Sequence, residues 1–275
     1  MRTVRWIGMA LVIVSLTAMV AACTPAAAPA APASAEQPAA KAPLKIKVGT
    51  NAEYRPFEYV DESGKIVGFD IDLITEMAKR AGYEIEIVNT KWDGIFTALA
   101  AGEFDAVASA CTITDERKQQ VDFSAPYMTS QQFMLVRADE KRFSTPTEFA
   151  ADEKLLIGSQ TGTTSFFTAV YDILDGDEAN PRIKLFENFG AAVQALLTGD
   201  VDLVLMDAAS SRGYIGANPN KLKTIGDPLG TEEFGFIFKS GSDLVQPFDA
   251  AIASMKQDGY LESLNTKWFF LYQPG

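Results

Sequence analysis

The chain has no histidine in 275 residues. Zinc sites built on imidazole, and every Ser-His or Cys-His nucleophile arrangement, are therefore excluded. Cysteine is nearly absent too, with only Cys23 and Cys111. Two cysteines in an exported chain still permit one disulfide. Basic residues are outnumbered, 24 Lys and Arg against 36 Asp and Glu, for a net charge of −12. Phosphate binding needs a basic face, so this balance argues against a nucleic-acid partner. Beyond the N-terminal leader no apolar run is long enough to span a bilayer.

What is present fits a globular α/β protein, with 47% hydrophobic and 22% charged residues. The first 22 residues read as an export signal. Arg2 and Arg5 precede the apolar run from Trp6 to Val20, and small residues follow. Residues 23–43 read as a tether. Ala and Pro fill fifteen of the twenty positions from 24 to 43, no large apolar residue is available for a core, and the stretch extends to at most ~60 Å.

From Lys45 the pattern turns to strands and helices. Ile46 and Val48 alternate into Gly49-Thr50-Asn51, Ile85 and Ile87 mark another strand, and Ile71, Ile74, Met77 and Ala78 share one helix face. A second α/β series starts at Leu155, with buried strands expected at 155–159 and 201–206. A returning strand is expected from Glu233 to Lys239, followed by an amphipathic helix through Leu244, Phe248, Ile252 and Met255. The segment Ala98 to Val107 recurs as Ala195 to Val204, with its Ala-Leu, Gly, Asp and Val positions 97 residues apart. The repeat implies two lobes built alike, with strand ends aimed at a shared cleft. Coincidence of local αβ grammar is the alternative.

The stretch that bears most on function is Ser109-Ala110-Cys111-Thr112-Ile113-Thr114-Asp115-Glu116-Arg117. It leaves a buried strand, where open α/β sheets place ligands. Hydroxyls there can hold an anion, and an arginine fork grips a carboxylate through two parallel bonds. The alternative is a polar turn with Arg117 in water. Asp207, at the end of another buried strand, reads as a carboxylate for a ligand's cation or as a helix N-cap. Thr163 and Thr164 open a helix and read as anion donors or as caps. Asp105 and Asp202, at strand starts, read as structural.

With Val121-Asp122-Phe123-Ser124-Ala125-Pro126-Tyr127, the stretch resembles the signature of the family 3 extracellular solute-binding proteins. These are the polar-amino-acid receptors of bacterial ABC importers, and the resemblance spans roughly residues 45–272. It implies a two-lobed α/β periplasmic-binding fold of type II. Lobe 1 would comprise 44–130 and 235–275, lobe 2 would comprise 131–234, and two hinge segments would join them. It implies a binding protein with no catalytic residue, cofactor or metal. The protein would act as a monomer, with a polar L-amino acid as ligand and the transmembrane permease as partner. Arg117, Thr112, Thr163 and Thr164 would hold the ligand's α-carboxylate, Asp207 and Ser109 its ammonium, and Tyr54 and Trp92 its side chain. Phe57 is assigned to the core instead. Asn51 stands where several binders of basic amino acids carry aspartate, which leaves neutral amides and basic residues both open, with Glu53 and Glu58 as nearby acids.

Val20-Ala21-Ala22-Cys23 resembles a lipobox. That resemblance implies cleavage before Cys23, lipidation of its sulfur with palmitate among the acyl groups, and an extracytoplasmic protein anchored to the membrane. Cys111 would then be a buried, unpaired thiol. The alternative class is an enzyme resembling cyclohexadienyl dehydratases, with Glu53 or Glu58 as general acid.

Overall fold

The computed structural model describes residues 44–271, so the expected signal segment, Cys23 and the tether lie outside the described residues. Two five-stranded mixed sheets, each with its own apolar core, make up the folded part.

The chain enters through β1 (Leu44–Thr50) and a small meander of β2 (Glu53–Tyr54), β3 (Glu58–Val60) and β4 (Ile66–Val67). Helix α1 (Phe69–Ala81) buries Phe69, Ile71, Leu73, Ile74, Met77 and Ala78, the face that its 3.6-residue period dictates. Then come β5 (Tyr83–Asn89), α2 (Ile95–Ala101), β6 (Ala106–Val107) and β7 (Val121–Phe123). Strand β8 (Met128–Arg137) leads into the second sheet, followed by α3 (Pro146–Ala151), β9 (Ile157–Gln160) and α4 (Thr164–Thr168). The second sheet continues with β10 (Ile183–Phe186), α5 (Phe189–Thr198), β11 (Leu203–Asp207), α6 (Ala208–Ala217) and β12 (Leu222–Phe234). The chain returns to the first sheet through β13 (Ile237–Lys239) and ends with α7 (Val245–Gln257) and α8 (Tyr260–Asn265).

The strand orders are β5-β1-β6-β13-β7 and β10-β9-β11-β8-β12. In each sheet the second and third strands in this order are parallel, and the fourth runs antiparallel to the third. The sequence repeat maps onto equivalent places. Helices α2 and α5 each end at a left-handed glycine, Gly102 and Gly199, with φ 86° in both, and each feeds the central strand of its sheet.

The returning strand differs from expectation. Residues 233–239 do not form one strand but the end of β12 and the whole of β13, which lie in different sheets. The break falls at Gly235, where an added Cβ would lie 2.9 Å from the end of the Ile113 side chain, so a larger residue would have to displace it. Strand β12 also begins eleven residues earlier than expected, counting from Leu222 to Glu233. Its Gly-Asp-Pro-Leu-Gly segment, which looks like a turn, is absorbed as an irregularity between Ile225 and Gly230 in the pairing with β8.

Candidate ligand site between the two sheets

The C-terminal ends of the parallel strands converge. Asn51 follows β1, Ser109 to Thr112 follow β6, Gln160 ends β9 and Asp207 ends β11. A cavity lies there, lined among others by Asn51, Tyr54, Trp92, Thr112, Arg117 and Thr164. Of the nine expected ligand contacts, eight line it, and Asp207 does not.

Arg117 reaches across the cleft. Its Nη1 donates to the Thr112 carbonyl at 2.8 Å and its Nη2 to the Gly162 carbonyl at 3.1 Å. Its guanidinium lies 5.5 Å from the Trp92 ring centroid and 5.6 Å from that of Phe96. Aromatic faces suit a cation whose charge is needed inside. The Thr112 and Thr164 hydroxyls are 3.1 Å apart and join the two sides directly.

Thr163 is an N-cap. Its hydroxyl accepts from Phe166 N at 3.1 Å and donates to the Gln160 carbonyl at 2.7 Å, so its proton is spoken for. The α-helix that it caps is only five residues long, so a helix-terminus argument for anion binding carries little weight.

Asp207 is likewise an N-cap, for α6. Its Oδ1 accepts from Ala209 N at 2.8 Å and Ser210 N at 3.1 Å, while Oδ2 accepts a short bond from the Tyr54 hydroxyl. Tyr54, packed on Phe189 at 5.1 Å, thus stands between Asp207 and the cavity.

Asn51 turns its amide nitrogen to the Thr90 carbonyl at 3.0 Å, and its backbone N–H donates to Ser109 Oγ at 3.1 Å. Ser109 in turn donates to Glu58 Oε1 at 3.4 Å, the long end of the hydrogen-bond range. Phe57 is fully buried, as expected of a core residue. Cys111 is a free, buried thiol, and burial pushes it up to about 11. Asp105 accepts from Lys47 N, and Asp202 accepts from Leu156 N and pairs with Arg137 and Arg142, so both are structural.

The sequence reading missed Gln160, Ser165, Phe189 and, above all, Glu232, all of which line the cavity. Glu232 is 8% exposed. Its Oε2 accepts from Thr112 at 2.7 Å, Thr164 at 3.3 Å and Gln132 at 3.4 Å. The signal was in strand alternation, since Glu232 lies two residues before buried Phe234 and so on the same face. Glu53 is exposed and does not line the cavity, whereas Glu58 is fully buried and does. Desolvation, then repulsion from Asp70, holds Glu58 well above the usual carboxylate range. Desolvation raises Glu232 and Asp207 as well. None of Glu58, Glu232 or Asp207 forms an ion pair with Lys or Arg among the described residues. Among those residues there is also no cluster of acidic or thiol ligands fit for a metal.

The model for bacterial extracellular solute-binding proteins, family 3, matches residues 46–270. The chain belongs to that family. It is 36% identical over 239 residues to a probable histidine-binding protein of Neisseria gonorrhoeae, covering 86% of this chain and 87% of the relative. It is 30% identical to the L-cystine-binding protein TcyJ of Escherichia coli, covering 82% of each. Among solved structures it superposes with TM-score 0.75 on the arginine-, lysine-, histidine-binding protein ArtJ of Geobacillus stearothermophilus, at 38% identity, over 84% of this chain and 96% of that one. The fold is thus the two-lobed, type II periplasmic-binding fold, with one five-stranded sheet in each lobe. The relatives are binding proteins rather than enzymes. As a member of an extracellular family, the chain is an extracytoplasmic binding protein. No helix among the described residues is long and apolar enough to cross a membrane.

Proposed function

We propose that the chain is the receptor of an ABC importer and closes its two lobes around a polar L-amino acid, with a basic one favoured. Arg117, with Thr112 and Thr164, takes the α-carboxylate. Tyr54, Trp92 and Phe189 enclose the side chain, and Ser109 and Asn51 supply polar contacts from lobe 1. Thr163 acts through its backbone and its cap. Asp207 takes the ammonium only if Tyr54 gives up its bond.

The observation that carries the preference for a basic ligand is Glu58. Its carboxyl lines the cavity with no cation beside it, and its Oε2 has no hydrogen-bond partner. A buried charge without a partner is costly, and a ligand cation would supply that partner. The names of the Neisseria and Geobacillus relatives agree with this, while that of the cystine relative shows that the scaffold also takes other side chains. A thermal-shift screen of the twenty amino acids tests the reading, because a ligand of the native state raises its stability. Arginine, lysine or histidine should give the largest shifts, and no shift with any amino acid would overturn the reading.

The hinge in this reading is the pair of crossing segments, β8 near residue 131 and the β12–β13 junction near 234. The mature chain starts at a lipidated Cys23 that anchors a monomer beside its permease. Mass spectrometry of the native product should find a diacylglyceryl-modified Cys23, and an unmodified one would remove the anchor. A second reading rests on Glu58, since a buried carboxyl in a cleft, held above the usual carboxylate range, can act as a general acid. Consumption of prephenate or arogenate would favour it.

A further inference from the structure

Glu232 lies on β12, beside the crossing into lobe 1, and its carboxylate oxygen touches both lobes. Thr112 comes from lobe 1, while Thr164 and Gln132 come from lobe 2. Five hydrogen-bond contacts link these four side chains. With Glu232 ionised, the protons available are one from each threonine and two from the amide. All of them are consumed inside the cluster, so neither threonine hydroxyl has a proton to offer outward. An added carboxylate would also face Glu232 as a like charge across the two hydroxyls.

We infer that Glu232 is a positioning residue, which must carry a proton for Thr112 and Thr164 to turn their hydroxyls toward a ligand carboxylate. A proton on Oε2 donates to Thr112 Oγ1, its nearest partner, which releases the Thr112 proton to the cavity, and the loss of charge on Oε2 weakens its hold on the Thr164 proton. The inference rests on the proposed role of those two threonines.

The titratable or charged groups facing Glu232 are Asp207 at the end of β11, Tyr54 on β2 and Cys111 in the loop after β6. Arg117 and Glu58 share the cavity. Burial first and Asp207 second favour the protonated form. A carboxyl that gains a proton on binding makes affinity fall as pH rises, by up to about tenfold per pH unit above its ionisation in the free protein. Glutamine at 232 mimics the protonated acid, since it donates without charge.

The test is calorimetric titration of the mature chain with L-arginine, L-histidine and L-glutamine between about pH 5.5 and about pH 8.5, for wild type and Glu232→Gln. Both proteins should bind alike at the acid end, and the variant should bind increasingly more tightly than wild type as pH rises. The ratio of the two affinities isolates Glu232 from Glu58, which is present in both. A flat ratio would overturn the inference, as would a variant weaker throughout, which would make the Glu232 charge itself a ligand contact. If the variant does not fold, proton uptake by wild type on binding L-glutamine, read in buffers of different ionisation heat, decides. Uptake supports the inference, and zero or release overturns it. Failure of wild type to bind any of the three, or any other of the twenty amino acids, would instead bring down the receptor reading, and the inference with it.

Discussion

Arg117 is the residue whose two possible roles the structure brings closest together. Its donors meet carbonyls of both lobes, so it clasps the closed cleft, and its guanidinium also lines the cavity. Removing one partner of a desolvated charge pair costs roughly 2–5 kcal/mol. Arg117→Ala should therefore weaken amino-acid binding by at least ~30-fold in calorimetry while circular dichroism stays unchanged. Near-wild-type affinity would leave Arg117 a clasp only. Glu58 supports a separate expectation. Glu58→Gln should lower affinity for arginine more than for glutamine, by at least ~tenfold in the ratio, and Asn51→Asp should shift preference the other way. These residues were legible because the chain between Ser109 and Arg117, and the aromatics around it, follow a recognisable order. Glu232 was not, because Glu232 and Glu233 look alike until strand pairing sets which of them faces inward. Asp207 shows the reverse limit. Its place at a strand end was legible, but the Tyr54 hydroxyl that occupies it comes from 153 residues away.

At the scale of elements, α1 and the loop after β6 are tied by one buried acid. Asp70 Oδ2 accepts from the Ala110 amide at 2.8 Å and from the Tyr127 hydroxyl at 2.8 Å. Ala110 sits at φ 42°, a left-handed backbone unusual for alanine, in the middle of the ligand loop. The bond to Asp70 helps hold that conformation. Desolvation raises Asp70 to about 7 from an ordinary value of 3.8. Between those values the folded chain keeps a proton that the unfolded chain has lost, so stability falls as pH rises through that window, by at most ~1.4 kcal/mol per unit. Denaturant midpoints should therefore be higher near pH 5 than near pH 8, at constant ionic strength, and Asp70→Asn should flatten the difference. Glu58 acts with the same sign, so the slope should shrink without vanishing. An unchanged slope in Asp70→Asn would mean that the carboxyl is ionised throughout. Most elements were legible from period and punctuation, as with the α1 face and the Gly102 and Gly199 stops. The β12–β13 break was not, because the short apolar run around Gly235 reads as one strand and only tertiary packing shows that the chain changes sheet there.

For the whole molecule, the 97-residue repeat was the most informative sequence feature, and it corresponds to equivalent central strands in the two sheets. Two similar lobes facing each other through strand ends make a cleft whose closure the ligand must complete. The structure has that cleft shut. Tyr54 meets Asp207, Thr112 meets Thr164, Arg117 meets Gly162, and Lys91 pairs with Glu187 across it. Of those contacts only Lys91–Glu187 is an ion pair, exposed on both sides, and such surface pairs contribute about 0–1 kcal/mol each. Glu58, Glu232 and Asp207 are buried and unpaired with Lys or Arg among the described residues, so closing the empty cleft carries a desolvation cost that a ligand cation would offset. The empty protein should therefore spend most of its time open, with closure driven by the ligand's differential affinity for the shut form. Small-angle scattering of the folded part, residues 44–271, should give a larger radius of gyration without ligand than with saturating ligand. The liganded curve should match that calculated from the shut arrangement. Arg117→Ala should stay open at ligand concentrations that close wild type, which links the residue to the motion. An unliganded curve already matching the shut form would mean that the cleft is pre-closed, and the cost of burying its carboxylates would then have to be met by their carrying protons.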